Sequence, residues 1–170
     1  GPFGNIATGC SSVIADRLAG QHSDYVVTEA GFGADMGAER FFDIKCPVGG
    51  LRPDCAVIVT TVRALKSHSG NYRLAPGKPL PDAMTEENVE EIVRGFGLNP
   101  VVAINVFPTD HEAELAEIEK ICAEAGVRVA RSLGVVEGGE GARELAREVA
   151  AACKESTDAQ IRPLYEDSDS

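Results

Sequence analysis

Residues 24–46, DYVVTEAGFGADMGAERFFDIKC, combine glycines and carboxylates in a pattern that could bind a charged ligand. An apolar run is followed by three glycines and then by a helical pattern, as in turns whose backbone amides approach a phosphate. Glu29 and Asp35 place carboxylates where that phosphate would sit. Carboxylates suit a metal-bound water, a cationic group or an amine better than they suit a phosphate. Glu29 and Asp35 are therefore candidate catalytic residues. The three glycines are Gly31, Gly33 and Gly37.

The same glycines are a poor match to a dinucleotide-binding fingerprint. Gly37 comes one residue later than the third glycine of the fingerprint. The acidic residue that binds the ribose is expected at the end of the next strand, but Asp54 lies at the beginning of that strand. A Walker phosphate loop is also missing from the sequence, and its nearest approach is PGKP at 76–79, where proline replaces the required hydroxyl residue. The alternative is a tight turn whose glycines only permit positive φ.

A second group of candidate residues lies in AINVFPTD, at the end of the apolar run at 100–107. Asn105 lies at the end of a predicted strand. In nucleotide-binding sheets an asparagine at this position often contacts the edge of the base, and Asp110 is placed to support such a contact. Phe107 precedes a proline in the turn that follows the strand, where few core residues are available to bury its ring. This favours a ring that faces a ligand. Thr109 and Asp110 have an alternative role as caps of the next helix.

A third strand end carries EGGEG at 137–141, in which Gly138 and Gly139 are candidates for an anion-binding nest. Ligands of open α/β sheets bind outside the carboxyl ends of the strands. Three such ends with glycine, acidic or aromatic residues therefore predict a binding rim, although its phosphate anchor is missing.

Four apolar, β-branched runs predict the strands that position this rim. None alternates with polar residues, which indicates strands buried on both faces of a parallel sheet. Helical patterns separate the runs, so we predict an α/β fold with a layered, mainly parallel sheet, flanking helices and right-handed crossovers. The four runs are YVVTEA, CAVIVTTV, PVVAINVF and VRVARS.

Four further stretches have helical patterns. One of them begins with a capping box, Thr109 with Glu112, and ends at Gly126. A Pro/Gly-rich segment at 67–83 follows a predicted strand end and is interpreted as a loop on the functional rim. The helical stretches are CSSVIADRLAG, MTEENVEEIVRGFG, TDHEAELAEIEKICAEAG and EGARELAREVAAAC.

Composition and charge narrow the classes of function. The 170 residues are enough for one domain, for which we expect an α/β segment at 1–155 and an acidic linker or tail at 156–170. A net charge of −11 disfavours nucleic acids and anionic membranes as partners. Five scattered cysteines and three isolated histidines indicate neither a disulfide framework nor a metal site, so a reducing cytoplasm is the default.

Six blocks occur in the order found in formate–tetrahydrofolate ligases. The chain resembles this family from Gly1 to about Tyr165, and TEAGFGAD and AINVFPTD are the most specific of the shared motifs. The blocks are GPFGNIATGCSSVIA, DYVVTEAGFGADMGAERFFDIKC, AVIVTTVRALKSH, VVAINVFPTDHEAEL, GGEGARELA and RPLY.

The resemblance implies a fold similar to part of a P-loop NTPase and a cytoplasmic, ATP-dependent enzyme that uses magnesium. In this family formate attacks the γ-phosphate of ATP, and the formyl group of the resulting formyl phosphate passes to N10 of tetrahydrofolate. The family's phosphate loop lies upstream of the first block. The chain is therefore expected to be an internal segment that is inactive without the remainder of the ligase chain. The family also forms homo-oligomers.

The resemblance also implies roles for individual residues. The turn that approaches the folate and the transferred group contains Phe32, Gly33 and Gly37. Phe107 matches one of two aromatic residues that sandwich the pterin ring. The candidates on the nucleotide side are Asn105, Asp110, Gly138 and Gly139.

Three positions depart from the family pattern. Val135 stands where the second pterin-binding aromatic, a Trp, is usual, and we keep it as a candidate substrate-binding residue. Glu137 replaces a Lys, and Thr8 replaces a His. These changes leave one alternative to an active ligase segment, a divergent, non-catalytic paralogue that binds folate or nucleotide. A separate alternative is the dinucleotide-binding domain of an oxidoreductase.

Overall fold

A computed structural model describes residues 10–31, 37–68 and 100–156. They fall into two compact units, the first with the described residues up to Pro53 and the second with those from Asp54 onwards. The first unit contains helix α1 (Val13–His22), a π-helix (Arg40–Lys45) and α2 (Cys46–Gly49). The second contains, in chain order, β1 (Ala56–Thr60), α3 (Val62–His68), β2 (Pro100–Asn105), α4 (Glu112–Glu124), β3 (Arg128–Ser132), α5 (Gly134–Glu137), a 3-10 turn (Glu140–Ala142) and α6 (Arg143–Glu155).

Helix α1 begins at a hydroxyl cap. The Ser12 Oγ accepts hydrogen bonds from the backbone N–H groups of Ile14, at 3.2 Å, and Ala15, at 3.4 Å. These bonds satisfy donors that have no partner inside the helix. The prediction of a helix here is confirmed, although α1 continues past Gly20 to His22.

A buried ion pair joins α1 to the π-helix. The Lys45 Nζ lies 2.5 Å from the Asp16 Oδ2, and both side chains are almost completely buried. The ammonium also lies 5.0 Å from the centre of the Phe41 ring, within the range of a cation–π contact. Arg17 adds a second clamp by donating to the Gly49 carbonyl at 2.9 and 3.2 Å. Removing one partner of such a buried pair leaves an uncompensated charge, so these contacts specify how α1 packs.

The run YVVTEA, at 25–30, does not form the predicted strand. Residues 25–29 have no ladder, and Ala30 makes a single antiparallel bridge with Cys10. Val27 is 90% exposed. A β-branched run becomes a strand only when a neighbouring strand accepts its hydrogen bonds, and propensity does not supply that neighbour.

The second unit is built on a parallel sheet with the strand order β1-β2-β3. The central strand β2 is buried on both faces from Val101 to Ile104. This agrees with the continuous apolar pattern of the run and with the rule that parallel strands are covered on both sides. The predicted α/β class and three of the four predicted strands are therefore confirmed.

One face of this sheet packs against α4. The buried residues of this side form one core cluster, and the Arg131 guanidinium caps it with hydrogen bonds of 2.6 to 2.8 Å to Glu112 and Glu119. The cluster consists of Val62, Val102, Ile104, Leu115 and Cys122.

The other face packs against α6. Arg128 of β3 donates to Glu148 at 2.8 Å and to Glu155 at 2.6 Å, both on α6, and Ala152 of the same helix is completely buried. Within the described residues, α4 on one face and α6 on the other are each held by apolar contacts and by an arginine on β3.

Helix α4 starts later than its predicted capping box. Its N-cap is His111, whose side chain makes no cap hydrogen bond, and Thr109 lies in the preceding turn. The capping-box prediction is wrong because this turn shifts the start of the helix to Glu112. The predicted end is confirmed, since Gly126 has φ +68° and the Val127 N–H returns to the Cys122 carbonyl at 2.8 Å.

Other predictions fall on parts of the chain outside the described residues. These are most of the loop at 67–83, the helix MTEENVEEIVRGFG and all but the first residue of the acidic tail. The division at residue 155 stays a prediction. None of the helices within the three described ranges is long and apolar enough to cross a bilayer.

Candidate functional site

The three strands of the second unit all end at one edge of the sheet. Asn105 of β2 is in register with Ser132 of β3, and the Val106 N–H donates to the Ser132 carbonyl at 3.0 Å. β1 reaches the same edge at Thr60. Two of the three strand ends singled out in the sequence, AINVFPTD and the segment before EGGEG, are thus adjacent. This is the edge where ligands of open parallel sheets bind.

The turn after β2 is closed by Asp110. The Asp110 N–H donates to the Phe107 carbonyl at 2.9 Å, and the Phe107 N–H donates to the Asp110 Oδ2, also at 2.9 Å. Phe107 is 37% exposed, so its ring is not part of the core. The turn therefore holds an aromatic ring at the rim in a fixed backbone geometry, and one oxygen of Asp110 is used to hold it.

The segment after β3 presents apolar side chains and glycines to solvent. Val135 is 69% exposed on the short helix α5. Gly138 follows with φ +61°, a conformation that strongly favours glycine. Gly139 is exposed and has φ −62°, and a Cβ added there would have no heavy atom within 4 Å, so packing does not require a glycine at this position.

Gly141, rather than either of these glycines, is the one that packing requires. A Cβ at Gly141 would lie 2.7 Å from the carbonyl carbon of Leu133 and 2.9 Å from the Glu137 Cβ. The Leu133 N–H also donates to the Gly141 carbonyl at 2.9 Å. This close approach ties the segment after β3 to the start of α6.

The charges at this edge suit a base or a ring better than a phosphate. Glu137 and Glu140 are exposed near the glycines, and the Arg143 guanidinium is paired with Glu140 at 2.5 Å. Carboxylates repel phosphate oxygens, and the sequence contains no Walker loop. The residues present at this edge therefore do not fit the phosphates of ATP.

The first unit contains part of the glycine turn. A Cβ at the buried Gly37 would collide with the Gly31 carbonyl oxygen and lie 3.0 Å from that of Ala30, so only glycine fits there. Glu29 is exposed just before this turn. The other residues predicted for the turn are outside the described residues; they are Phe32, Gly33 and Asp35.

Each unit thus holds its own share of the predicted site. The second brings the candidates near Asn105 and those near Val135 to one edge, and the first holds Glu29 and Gly37. Sequence reasoning missed Ser132 and Gly141. The signal for Ser132 was its position as the last residue of the run VRVARS, in line with the end of the neighbouring strand.

Comparison with known proteins identifies the family. A family model described as formate–tetrahydrofolate ligase matches residues 1–170. The chain belongs to the formate–tetrahydrofolate ligase family. It is 56% identical to the formate–tetrahydrofolate ligase of Cutibacterium acnes and 54% identical to that of Saccharopolyspora erythraea, in each case over 99% of this chain. The ligase of Dehalococcoides mccartyi is 50% identical over 93% of the chain.

The match covers only part of these relatives. The aligned region is 32% of the Cutibacterium acnes ligase and 29% of the Dehalococcoides mccartyi ligase, so the chain spans about a third of the length of the curated relatives it matches. The resemblance seen in the six sequence blocks is confirmed, and it concerns one segment of a formate–tetrahydrofolate ligase.

Proposed function

We propose that this chain is part of an enzyme that joins formate to tetrahydrofolate at the expense of ATP, giving 10-formyltetrahydrofolate. The observation that carries the proposal is the family match over residues 1–170, with relatives named as formate–tetrahydrofolate ligases at 50% identity and above. The edge at Asn105 and Ser132 supports it, because this is where a parallel sheet binds ligands. In this proposal the sheet belongs to a domain similar to the P-loop NTPases.

Phe107 forms one wall of the folate site. Its backbone is fixed by Asp110 and its ring is partly exposed, which are the requirements for a stacking surface. Stacking of a flat heterocycle on an aromatic side chain contributes about 1–3 kcal/mol, by analogy with nucleobases. Val135 stands on the opposite wall and offers a smaller apolar contact.

The nucleotide lies against the other candidates of this edge. The Asn105 amide can recognise a base edge, because it both donates and accepts hydrogen bonds. The bound ATP supplies the phosphoryl group that activates formate. Its phosphates would be held by residues outside this chain, since this sequence contains no Walker loop. The remaining nucleotide-side candidates are Asp110, Gly138 and Gly139.

The glycine turn of the first unit serves the transfer step. When the formyl carbon forms its bond to the folate nitrogen, phosphate leaves and the nitrogen loses a proton. Glu29 and Asp35 are the carboxylates that we assign to this proton and to orienting the amine. Phe32, Gly33 and Gly37 shape the backbone that approaches the folate.

The cellular setting follows from charge and chemistry. A net charge of −11 opposes binding to nucleic acids, so the partners are the small-molecule substrates and the remainder of the ligase polypeptide. We place the enzyme in the cytoplasm and expect it to form a homo-oligomer.

The proposal is tested with the polypeptide encoded by the complete reading frame that contains these residues. With formate, tetrahydrofolate and ATP·Mg it should form 10-formyltetrahydrofolate and release ADP and phosphate in equal amounts. The 170-residue chain alone should form none. Product formation by this chain alone would contradict the absence of a phosphate loop, and no product from the complete polypeptide would contradict the ligase assignment.

A second candidate function is a non-catalytic paralogue that keeps the cleft. It is favoured by Val135 and Glu137, which remove an aromatic wall and reverse a charge at the folate edge. Titration of tetrahydrofolate into the complete polypeptide separates the two functions. Micromolar binding with turnover supports the ligase, and millimolar or absent binding without turnover supports the paralogue.

A further inference from the structure

Two cysteines of the second unit, Cys55 and Cys153, lie side by side although they are far apart in the sequence. Cys55 directly precedes β1, and Cys153 lies in the last turn of α6. Both are free, half-buried thiols, and their side chains share a hydrogen bond. Two thiols in contact meet the first requirement for an intramolecular disulfide.

The register of the sheet places Cys55 on the face that α6 covers. Val57 and Arg128 both lie beside Val101, on the two strands that flank β2. The Arg128 guanidinium bonds to two glutamates of α6, so these residues mark the α6 face of the sheet. Cys55 is two residues before Val57 and immediately outside the strand, so the alternation of the strand directs it to the same side. Its contact with Cys153 agrees with this placement.

The packing of α6 holds the second sulfur in place. Arg128 donates to Glu148 at 2.8 Å and to Glu155 at 2.6 Å, and these glutamates precede and follow Cys153 on the helix. Ala152, next to Cys153, is completely buried. The two sulfurs are therefore brought together by contacts of α6 with the sheet that do not involve the thiols themselves.

The surroundings of the two thiols set their order of reaction. Burial, and after it the proximity of Cys153, raises the pKa of the Cys55 thiol to about 11. Burial and the nearby Asp54 carboxylate also raise the pKa of Cys153, whereas its hydrogen bond with Cys55 acts in the opposite direction. Because this bond favours the thiolate of Cys153 and disfavours that of Cys55, Cys153 ionises first. Both thiols react slowly at neutral pH, since the thiolate is the nucleophile.

We propose that Cys55 and Cys153 are a site of reversible oxidation, at which a low-molecular-weight disulfide converts the two thiols into an intramolecular disulfide. The Cys153 thiolate attacks one sulfur of the small disulfide and expels the other half as a thiolate. Cys55 then loses its proton, and its sulfur attacks the Cys153 sulfur and displaces the remaining half. The pair gives up two electrons and two protons, and the small disulfide leaves as two thiols.

The linkage ties the end of α6 to the start of β1. This is the edge of the sheet opposite to the binding rim, because β1 runs from Ala56 to Thr60 at the rim. The linkage should suppress fraying of the last turn of α6, where the Ser156 N–H donates to the Cys153 carbonyl. In a reducing compartment the pair is a dithiol, and it closes when small disulfides accumulate.

The test treats the polypeptide of the complete reading frame with hydroxyethyl disulfide. Mass spectrometry of peptides prepared without reduction should find Cys55 joined to Cys153 with the loss of two hydrogen atoms, and dithiothreitol should restore both thiols. Linkage should be at least about tenfold faster at about pH 9 than at about pH 7, because more thiolate is present. Cys122, a buried cysteine in the core cluster beside α4, is the internal control and should stay unmodified.

Two variants test the order of attack. Cys55→Ser should stop the reaction at a mixed disulfide on Cys153. Cys153→Ser should leave Cys55 to react more slowly than Cys153 does in the first variant, and the reverse order would overturn the assigned roles. Mixed disulfides that persist on both cysteines of the unchanged protein would show that the sulfurs do not meet. That result, or two cysteines that never react, would overturn the inference.

Hydrogen exchange measures the consequence for α6. The Ser156 amide should exchange at least about tenfold more slowly after linkage, because the last turn can no longer fray. Cys153→Ser treated in the same way should show no change. Equal exchange before and after linkage would contradict the tie between α6 and β1. These readouts require no ligase activity, so the inference and the proposed function can fail independently.

Discussion

Phe107 and Asp110 are joined by two hydrogen bonds of 2.9 Å, one between their backbones and one from the Phe107 N–H to the Asp110 carboxylate. The carboxylate therefore fixes the backbone of the ring that we propose for folate stacking. Asp110 closes this turn, and its proposed role in binding the nucleotide has to be distinguished from that contact.

Replacement of Asp110 separates those roles. Asp110→Ala should lower the free energy of unfolding by about 1 kcal/mol, because the Phe107 N–H loses its acceptor. Asp110→Asn keeps an oxygen acceptor and should restore most of that loss. If the carboxylate only closes the turn, the Asn variant also keeps ATP affinity in the complete polypeptide. Urea unfolding and nucleotide titration measure the two effects, and weaker ATP binding by a stable Asn variant would indicate that the charge itself is required.

Gly141 should tolerate no side chain. Gly141→Ala places a methyl group 2.7 Å from the Leu133 carbonyl carbon, and such overpacking costs about 1–3 kcal/mol. Gly139→Ala is the control two residues earlier, where the φ of −62° suits alanine and the space is open. Thermal unfolding should show a lower melting temperature for the first variant only. Equal effects at the two positions would contradict the packing that the structure assigns to Gly141.

Val135→Trp should tighten folate binding. If Val135 lies opposite Phe107, as we propose, a ring there adds about 1.4 kcal/mol, which is roughly a tenfold lower Kd. The control is Val136→Trp, at the neighbouring exposed position of α5. Titration of tetrahydrofolate into the complete polypeptide measures both. The same affinity for Val135→Trp and for the unchanged protein would argue against placing the folate between these walls.

The ion pair between Glu112 and Arg131 should contribute to acid sensitivity. Hydrogen bonds from the Arg131 guanidinium lower the pKa of the Glu112 carboxyl below its ordinary value of 4.5. The folded state thus holds this proton less tightly than the unfolded state does. The stabilisation is complete above the ordinary pKa and is lost as the pH falls through the lowered one.

Glu112→Gln removes this titration. Urea unfolding between about pH 6 and pH 3 should show a smaller loss of stability on acidification for this variant than for the unchanged chain. Glu117→Gln, on the same helix but paired with Lys120, is the control. An identical pH dependence for Glu112→Gln and the unchanged chain would show that the contact with Arg131 is too screened to matter.

The strands of the second unit illustrate what patterns can predict. The runs CAVIVTTV, PVVAINVF and VRVARS each became a parallel strand, because continuous β-branched residues suit burial on both faces. The equally β-branched YVVTEA did not, because no neighbouring strand pairs with residues 25–29 among those described. Propensity is local, whereas a strand requires a partner that is distant in sequence.

The candidate site shows the same division. The sequence by itself determined which residue types follow the strands, so Asn105, Phe107 and the glycines of EGGEG were predicted as candidates from the pattern alone. Only the tertiary structure decided that Asp110 closes the turn of Phe107 and that Gly141 is the glycine required by packing. The physical reason is that each of these depends on atoms brought together by the register of the sheet and the packing of α6, and no property of a single segment encodes those distances.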